Sequence, residues 1–539
     1  MHDYTIDMGF DEFERLPELK RTLAGAIVRG LFGSRDADVL TDYTCGGTFT
    51  GGSLLRSALA LSRTIRRATP APRVGIVMPP CRHAAVANYA CIFAGKTPVN
   101  LNFTMGRAAA ESCLSASGIE AAITTPAMRA KISEANPGFP WAPAEIDISS
   151  ALGPAESALP EAAQSSPEAA LEWLGLEEFG ENRGEATLIF TSGSEGAPKA
   201  AVLTGRNIIA NCLQTHMSRV FEPGDLLLGN LPVFHSFGLL FEVWFMALHG
   251  MRTLMVASPI DIKANLRAIR EFSPSVMIGS PTFFRAYLRH ASKDDMKSLR
   301  KVIAGAEKTP EGFHGHWNGT FGENTYSEGY GLTETSPVVG VNLPQRDFGF
   351  FSTGSRAGSI GKIFPGMSAR ILDSSTLEPL PFGHQGLLSM RGANVFAGYL
   401  ANPEATAATL RDGWIVTGDL ARLDRDGFLY VDGRLSRFSK IGGEMVPHAT
   451  VEAALSKALG LNGLEAPALA VSARMDEDKG EALVLVSAVE IEMARVKEAL
   501  RSEGISNLWM PKHIVRVAKI PLLASGKLDL KELANMAKG

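Results

Sequence analysis

Between about residues 184 and 307, short apolar runs alternate with stretches of helical length. Residues 188–190, 226–228, 253–256, 275–278 and 301–303 are each three or four residues long. Runs of that size read as strands, and the intervals between them are long enough for helices. The alternation predicts βαβ units and a mostly parallel sheet, an α/β fold. The most apolar long stretch, residues 237–258, is interrupted by Glu242, His249, Gly250 and Arg252. Four polar or helix-breaking positions are too many for a bilayer span of about 20 residues, so the stretch predicts a buried helix followed by a strand. Residues 136–182, rich in Ala, Pro, Glu and Ser, predict a loose surface connection carrying short helices.

The pattern changes near Asp432-Gly433-Arg434. Before it, residues 424–431 read as a turn and a hairpin strand; after it come Lys440-Ile441-Gly442-Gly443-Glu444 and a helical stretch over 450–459. The last hundred or so residues hold enough strand and helix for a small α+β domain of their own. A single core rarely grows past about 250–300 residues, so a chain of 539 residues divides. The boundary predicted here separates an N-terminal domain, 1–432, from a C-terminal domain, 433–539.

Composition narrows the function. A net charge of −4 gives no footing for nucleic acid. The five cysteines, Cys45, Cys81, Cys91, Cys113 and Cys212, show neither CxxC pairs nor zinc-finger spacing, so neither disulfides nor a structural metal is expected. The N-terminus lacks the basic start and apolar core of a secretory signal. A cytoplasmic protein without a membrane span is the expectation, with peripheral membrane contact left open.

Candidate chemistry starts at Thr191-Ser192-Gly193-Ser194-Glu195-Gly196-Ala197-Pro198-Lys199, which follows the apolar run at 186–190. Gly193 and Gly196 let backbone approach an anion, the hydroxyls of Thr191, Ser192 and Ser194 donate to phosphate oxygens, and Lys199 adds positive charge. It is not a Walker loop, because GxxxxGK[ST] is absent.

This loop resembles that of the adenylate-forming superfamily of acyl-CoA synthetases, peptide-synthetase adenylation domains and luciferases. Three further segments match in order: Tyr330-Gly331-Leu332-Thr333-Glu334, Gly413-Trp414-Ile415-Val416-Thr417-Gly418-Asp419, and the stretch from Pro521 to Gly526-Lys527. The resemblance extends over nearly the whole chain. It implies a large N-terminal α/β domain with mixed, mostly parallel sheets, and a small mobile α+β C-terminal domain turning at about Ser436 and Arg437. The implied reaction joins a carboxylic acid to AMP, releases pyrophosphate, and passes the acyl group to a thiol, with ATP and Mg²⁺ required.

By resemblance, Lys527 is the catalytic lysine bridging carboxylate and α-phosphate, Glu334 the Mg²⁺ ligand and Thr333 an α-phosphate contact. Tyr330, beside Gly331, would stack on adenine, Gly305-Ala306-Glu307 would wall it, Asp419 would accept from the ribose hydroxyls, and Arg434 would be a second ribose or phosphate contact. His235 is either a gate to the acyl site or a core histidine, and residues 237–248 either line an acyl tunnel or fill core. Glu195 stands where the broader family has Thr. Ser-Glu-Gly there, with residues 231–238, 304–308, 437–446 and 521–527, is similar to the acyl-carrier-protein synthetases, including the synthetase half of 2-acylglycerophosphoethanolamine acyltransferase. The acceptor implied is therefore acyl carrier protein, with Arg437, Lys440, Lys512, His513, Arg516 and Lys519 as a candidate basic landing surface, a fatty acid as the acid, and coenzyme A as the alternative acceptor. A relative that binds without turnover is a further reading. His290 and Asp295 have HxxxxD spacing without an acyltransferase domain around them and are given no role.

Overall fold

A computed structural model describes residues 4–191, 198–322, 326–441, 444–461, 467–476, 480–522 and 528–538. The described residues form two compact units: residues 4–191, 198–417 and 421–431 make the first, and residues 418–420 with those from 432 onward make the second.

Two of the sheets in the first unit are mostly parallel. Among the described residues, a seven-stranded sheet runs in the order Gly398–Tyr399, Lys199–Thr204, Glu185–Thr191, Thr97–Asn100, Arg73–Ile76, Ala121–Thr124, Ala144–Asp147. All its pairings are parallel except those made by Lys199–Thr204. An eight-stranded sheet follows the order Val338–Val341, Tyr326–Gly331, Lys301–Ala304, Val276–Gly279, Leu226–Gly229, Arg252–Met255, Asp38–Asp42, Thr48–Thr50, antiparallel only at its two edges. Thr97–Asn100, Ala121–Thr124 and Val276–Gly279 are buried at every residue. That is why they read as continuous apolar or small-residue runs: parallel strands are covered on both faces. The strands expected at 188–190, 226–228, 253–256, 275–278 and 301–303 all form, within a residue or a few of those limits.

Two segments differ from expectation. Ala144–Asp147 is an edge strand inside the stretch read as a loose connection. Only Ile146 of its four residues is buried, so no apolar run announces it. Residues 237–258 do form helix then strand, but Leu239–Phe245 is wound as a π-helix with all seven residues buried. Glu242 lies within it, its Oε1 accepting from Leu231 N at 2.7 Å, and burial pushes its carboxyl well above the usual range. Among the described residues no helix is long and apolar enough to cross a membrane.

In the second unit, Phe438–Ile441, Glu444–Pro447, Leu469–Asp476, Gly480–Ser487 and His513–Arg516 form one sheet. Helices His448–Ala458 and Met493–Ser502 add Val451, Leu455, Val496 and Leu500 to a core of their own.

Candidate functional site

The candidate residues cluster where strands end, the place where open α/β sheets present ligands. Thr191 is the last residue of Glu185–Thr191, Gly305 follows Lys301–Ala304, and Tyr330 and Gly331 close Tyr326–Gly331. Thr191 pairs in register with Lys199 of the antiparallel neighbour strand, its Oγ1 donating to Lys199 O at 3.3 Å.

From Lys199 a connected set of side chains runs to Glu334. The Lys199 ammonium sits 5.5 Å from the centroid of the Tyr399 ring, and the Tyr399 hydroxyl donates to Glu334 Oε1 at 2.6 Å. Among the described residues nothing donates to Glu334 Oε2. A carboxylate with one oxygen held and the other open is a hard donor suited to Mg²⁺, so the residues present fit that ion. Thr333 Oγ1 lies 3.3 Å from Ser236 Oγ, which brings the segment holding His235 to the same place. His235 packs against Phe234 at 4.8 Å between centroids, and Phe234 meets Phe103 edge-on at 5.2 Å. Phe237 is half-buried; a Cβ on Gly305 would stand 3.4 Å from its ring. Beside it Ala306 adopts a left-handed φ of 68°, and Glu307 accepts from Thr282 Oγ1 at 2.6 Å.

The turn carrying Glu334 is fastened from behind. Gly331 is the only residue type that fits its place, since a Cβ there would fall 2.0 Å from Pro337 O. Thr335 Oγ1 donates to Pro337 O at 2.6 Å, Phe396 N to Glu334 O at 2.9 Å, and Asn394 Nδ2 to Thr335 O at 2.8 Å. Helix Gly205–Met217, which starts just after strand Lys199–Thr204, supplies the rest. Asn207 Nδ2 donates to Ala393 O and Val395 O, both at 2.8 Å. Asn211 exchanges two hydrogen bonds with Val338, 2.7 and 2.9 Å, and Gln214 Nε2 reaches Pro365 O at 3.0 Å and Asn394 Oδ1 at 3.2 Å. These amides stand three or four residues apart, so they share one helix face. All are buried and all are bonded, which is the condition under which a buried polar row stabilises.

Asp419 is buried and forms its own pair with Arg434, Nε to Oδ1 2.9 Å. Lys527, Ser192, Gly193, Ser194, Glu195 and Gly196 lie outside the described residues. Tyr399, the link between Lys199 and Glu334, had no signal in the sequence beyond one aromatic after a glycine. Asn207, Asn211 and Gln214 did have one: three amides at helical spacing in an otherwise apolar run.

Three of the six residues of the candidate basic surface pair with acids. Arg437 pairs with Glu452 at 2.6 Å, Lys512 with Asp476 at 2.5 Å and Arg516 with Glu490 at 2.7 Å.

Residues 33–400 match the family model described as AMP-binding enzyme. The chain is 30% identical over 363 residues to a 4-coumarate–CoA ligase-like protein of Arabidopsis thaliana, covering 65% of this chain and 62% of that one. It is also 30% identical over 362 residues to a long-chain-fatty-acid–CoA ligase of Salmonella typhimurium, covering 66% of this chain and 62% of the relative. The chain thus spans about 62% of the length of each of these relatives. In fold it is similar to the ATP-bound crystal structure of MatB from Rhodopseudomonas palustris, with a TM-score of 0.76 at 23% identity over 96% of this chain and 99% of the other.

Proposed function

Since the chain belongs to the AMP-binding enzyme family, we propose that it is an AMP-forming acid–thiol ligase that activates a fatty acid with ATP and transfers it to coenzyme A. The observation that carries this reading is the set Lys199, Tyr399 and Glu334 at the strand ends. A carboxylate is a poor electrophile because its leaving group would be oxide. Converting it to a mixed anhydride with AMP requires two anions to meet while charge gathers on phosphoryl oxygens, so the site must supply positive charge and donors. Lys199 and Thr191 serve the phosphates, and Thr333 the α-phosphate. Glu334 would hold Mg²⁺, whose charge offsets that of the triphosphate. Tyr330 and the 305–307 backbone receive adenine, Asp419 accepts from the ribose hydroxyls with Arg434 beside it, and Lys527 bridges carboxylate and α-phosphate. His235, Phe237, Phe234 and Phe103 face the acid.

Coenzyme A displaces acyl carrier protein as the favoured acceptor. The relatives bear CoA-ligase names, and three of the six cations that would greet an acidic carrier already pair with Glu452, Asp476 and Glu490. The second unit turns between the two half-reactions. The resemblance puts its pivot at about Ser436 and Arg437, and the Arg437 guanidinium reaches Val471 O at 3.0 Å as well as Glu452.

The test is purified protein with ATP, Mg²⁺ and fatty acids of increasing length, offered coenzyme A or carrier protein. AMP, pyrophosphate and acyl-CoA are the expected products, and Lys527→Ala abolishes pyrophosphate release. ADP as the nucleotide product, or full activity in that variant, refutes the reading. Thioester on carrier protein alone restores the other acceptor.

A further inference from the structure

Cys45, Cys81 and His83 come from segments that the sequence separates and the fold joins. Cys45 sits in the turn after strand Asp38–Asp42, a member of the eight-stranded sheet. Cys81 is the N-cap of helix Arg82–Phe93, which follows strand Arg73–Ile76 of the seven-stranded sheet. One ligand atom from each, the two Sγ atoms and a ring nitrogen of His83, all lie within 4.8 Å of one another. No other trio of metal-ligating side chains converges this way among the described residues.

The second observation is how the trio is held. Asp42 is buried and aims both carboxylate oxygens at backbone donors: Oδ1 accepts from Thr44 N at 2.9 Å and Cys45 N at 2.8 Å, and Oδ2 from Arg82 N at 2.7 Å. One side chain thus clips the Cys45 turn to the residue between Cys81 and His83. The guanidinium of Arg82 is occupied elsewhere, over the Phe49 ring at 4.4 Å and on Ser57 Oγ at 2.7 Å, so it is engaged away from the thiols. Cys81 is buried while Cys45 is exposed, which leaves the cluster open to solvent on one side.

We propose that Cys45, Cys81 and His83 form a metal site for a thiophilic divalent cation, zinc in the first instance, with water as the fourth ligand. Two sulfurs and an imidazole are the donor set that tetrahedral zinc accepts, at about 2.3 Å for sulfur and 2.0–2.1 Å for nitrogen. Ligand atoms around such an ion stand roughly 3.5–3.8 Å apart. The trio, now within 4.8 Å, therefore needs a contraction of at most about 1.0–1.3 Å, which the exposed Cys45 turn can supply. Binding releases the two thiol protons to solvent, so the dication meets two thiolates and the core of the site is neutral beside buried Asp42. The ion would staple the turn of one sheet to the helix of the other. It is separate from the Mg²⁺ expected at Glu334, which uses an oxygen donor.

The experiment uses the full chain, stripped with a chelator, kept reduced with a phosphine, dialysed against zinc or cobalt and then freed of excess. About one zinc per chain is expected by mass spectrometry, together with a thiolate-to-cobalt charge-transfer band and a rise in melting temperature on adding zinc. Cys45→Ser and His83→Ala, one exposed and one half-buried, lose all three responses while melting at the temperature of the stripped wild type; Glu334→Gln keeps them. A wild type that stays metal-free, a cobalt spectrum without the thiolate band, or equal zinc content in the Cys45 and His83 variants overturns the proposal.

Discussion

Replacing Tyr399 by Phe removes one hydroxyl and leaves the ring under Lys199. The lost interaction is the 2.6 Å hydrogen bond to Glu334 Oε1. A hydrogen bond to a charged group contributes about 1.5–3 kcal/mol. Tyr399 is half-buried, which favours the lower end of that range. If Glu334 must be held in one orientation for the adenylating transition state, kcat/KM for pyrophosphate release falls about tenfold, since about 1.4 kcal/mol is a factor of ten. The apparent Mg²⁺ requirement rises with it. Tyr399→Leu also removes the face that meets the ammonium 5.5 Å away, a cation–π contact of about 0.5–1 kcal/mol, and so loses a further two- to fivefold. ATP–pyrophosphate exchange measured across a Mg²⁺ titration separates the two variants. Wild-type exchange in Tyr399→Phe, or the same loss and the same Mg²⁺ dependence in both, refutes the claim that the hydroxyl positions Glu334.

Three other outcomes are expected. Asn211→Ala strands the N–H and C=O of Val338 in the interior and destabilises the first unit by about 2–4 kcal/mol, read from denaturant midpoints, at a cost well above that of an exposed Asn→Ala control. Asp419→Ala deprives the ribose hydroxyls of their acceptor and raises the KM for ATP by about ten- to a hundredfold with little change in the acid's KM; equal effects on both would place Asp419 elsewhere in the mechanism. Burial, reinforced by Arg437, pushes the His448 imidazole down to about 3, and Ser439 Oγ lies 2.7 Å from its Nε2. An unfolded histidine takes a proton near pH 6.5, so below that pH the unfolded chain binds more protons than the folded one. The second unit then loses about 1.4 kcal/mol per pH unit between about 6.5 and 3, a slope that His448→Gln removes and that melting curves across this window will register.

The core strands were legible because parallel strands buried on both faces must be short apolar runs, and helices must fill the gaps between them. The Thr191–Lys199 loop, the Glu334 motif and Asp419 stand out in the sequence as local patterns of residue types, and they remain candidates for the proposed site. What escaped depends on contacts distant in sequence. Tyr399 belongs to a two-residue strand whose meaning comes from Lys199 and Glu334, 200 and 65 positions away. Ala144–Asp147 is an edge strand that buries one side chain and so leaves no pattern. Spacing along the chain is the only measure of distance a sequence offers for scattered cysteines, and the fold sets Cys45 beside Cys81 across 36 residues.

The amide row of helix Gly205–Met217 fastens the turn that carries Glu334 mainly through backbone carbonyls and N–H groups, with the Asn394 side chain as the one exception, so that turn is held apart from Phe103, Phe234 and Phe237. On the proposed function, the residues that choose the acid and the framework that holds Glu334 are then separate parts of the fold, and a change in one leaves the bonds of the other in place.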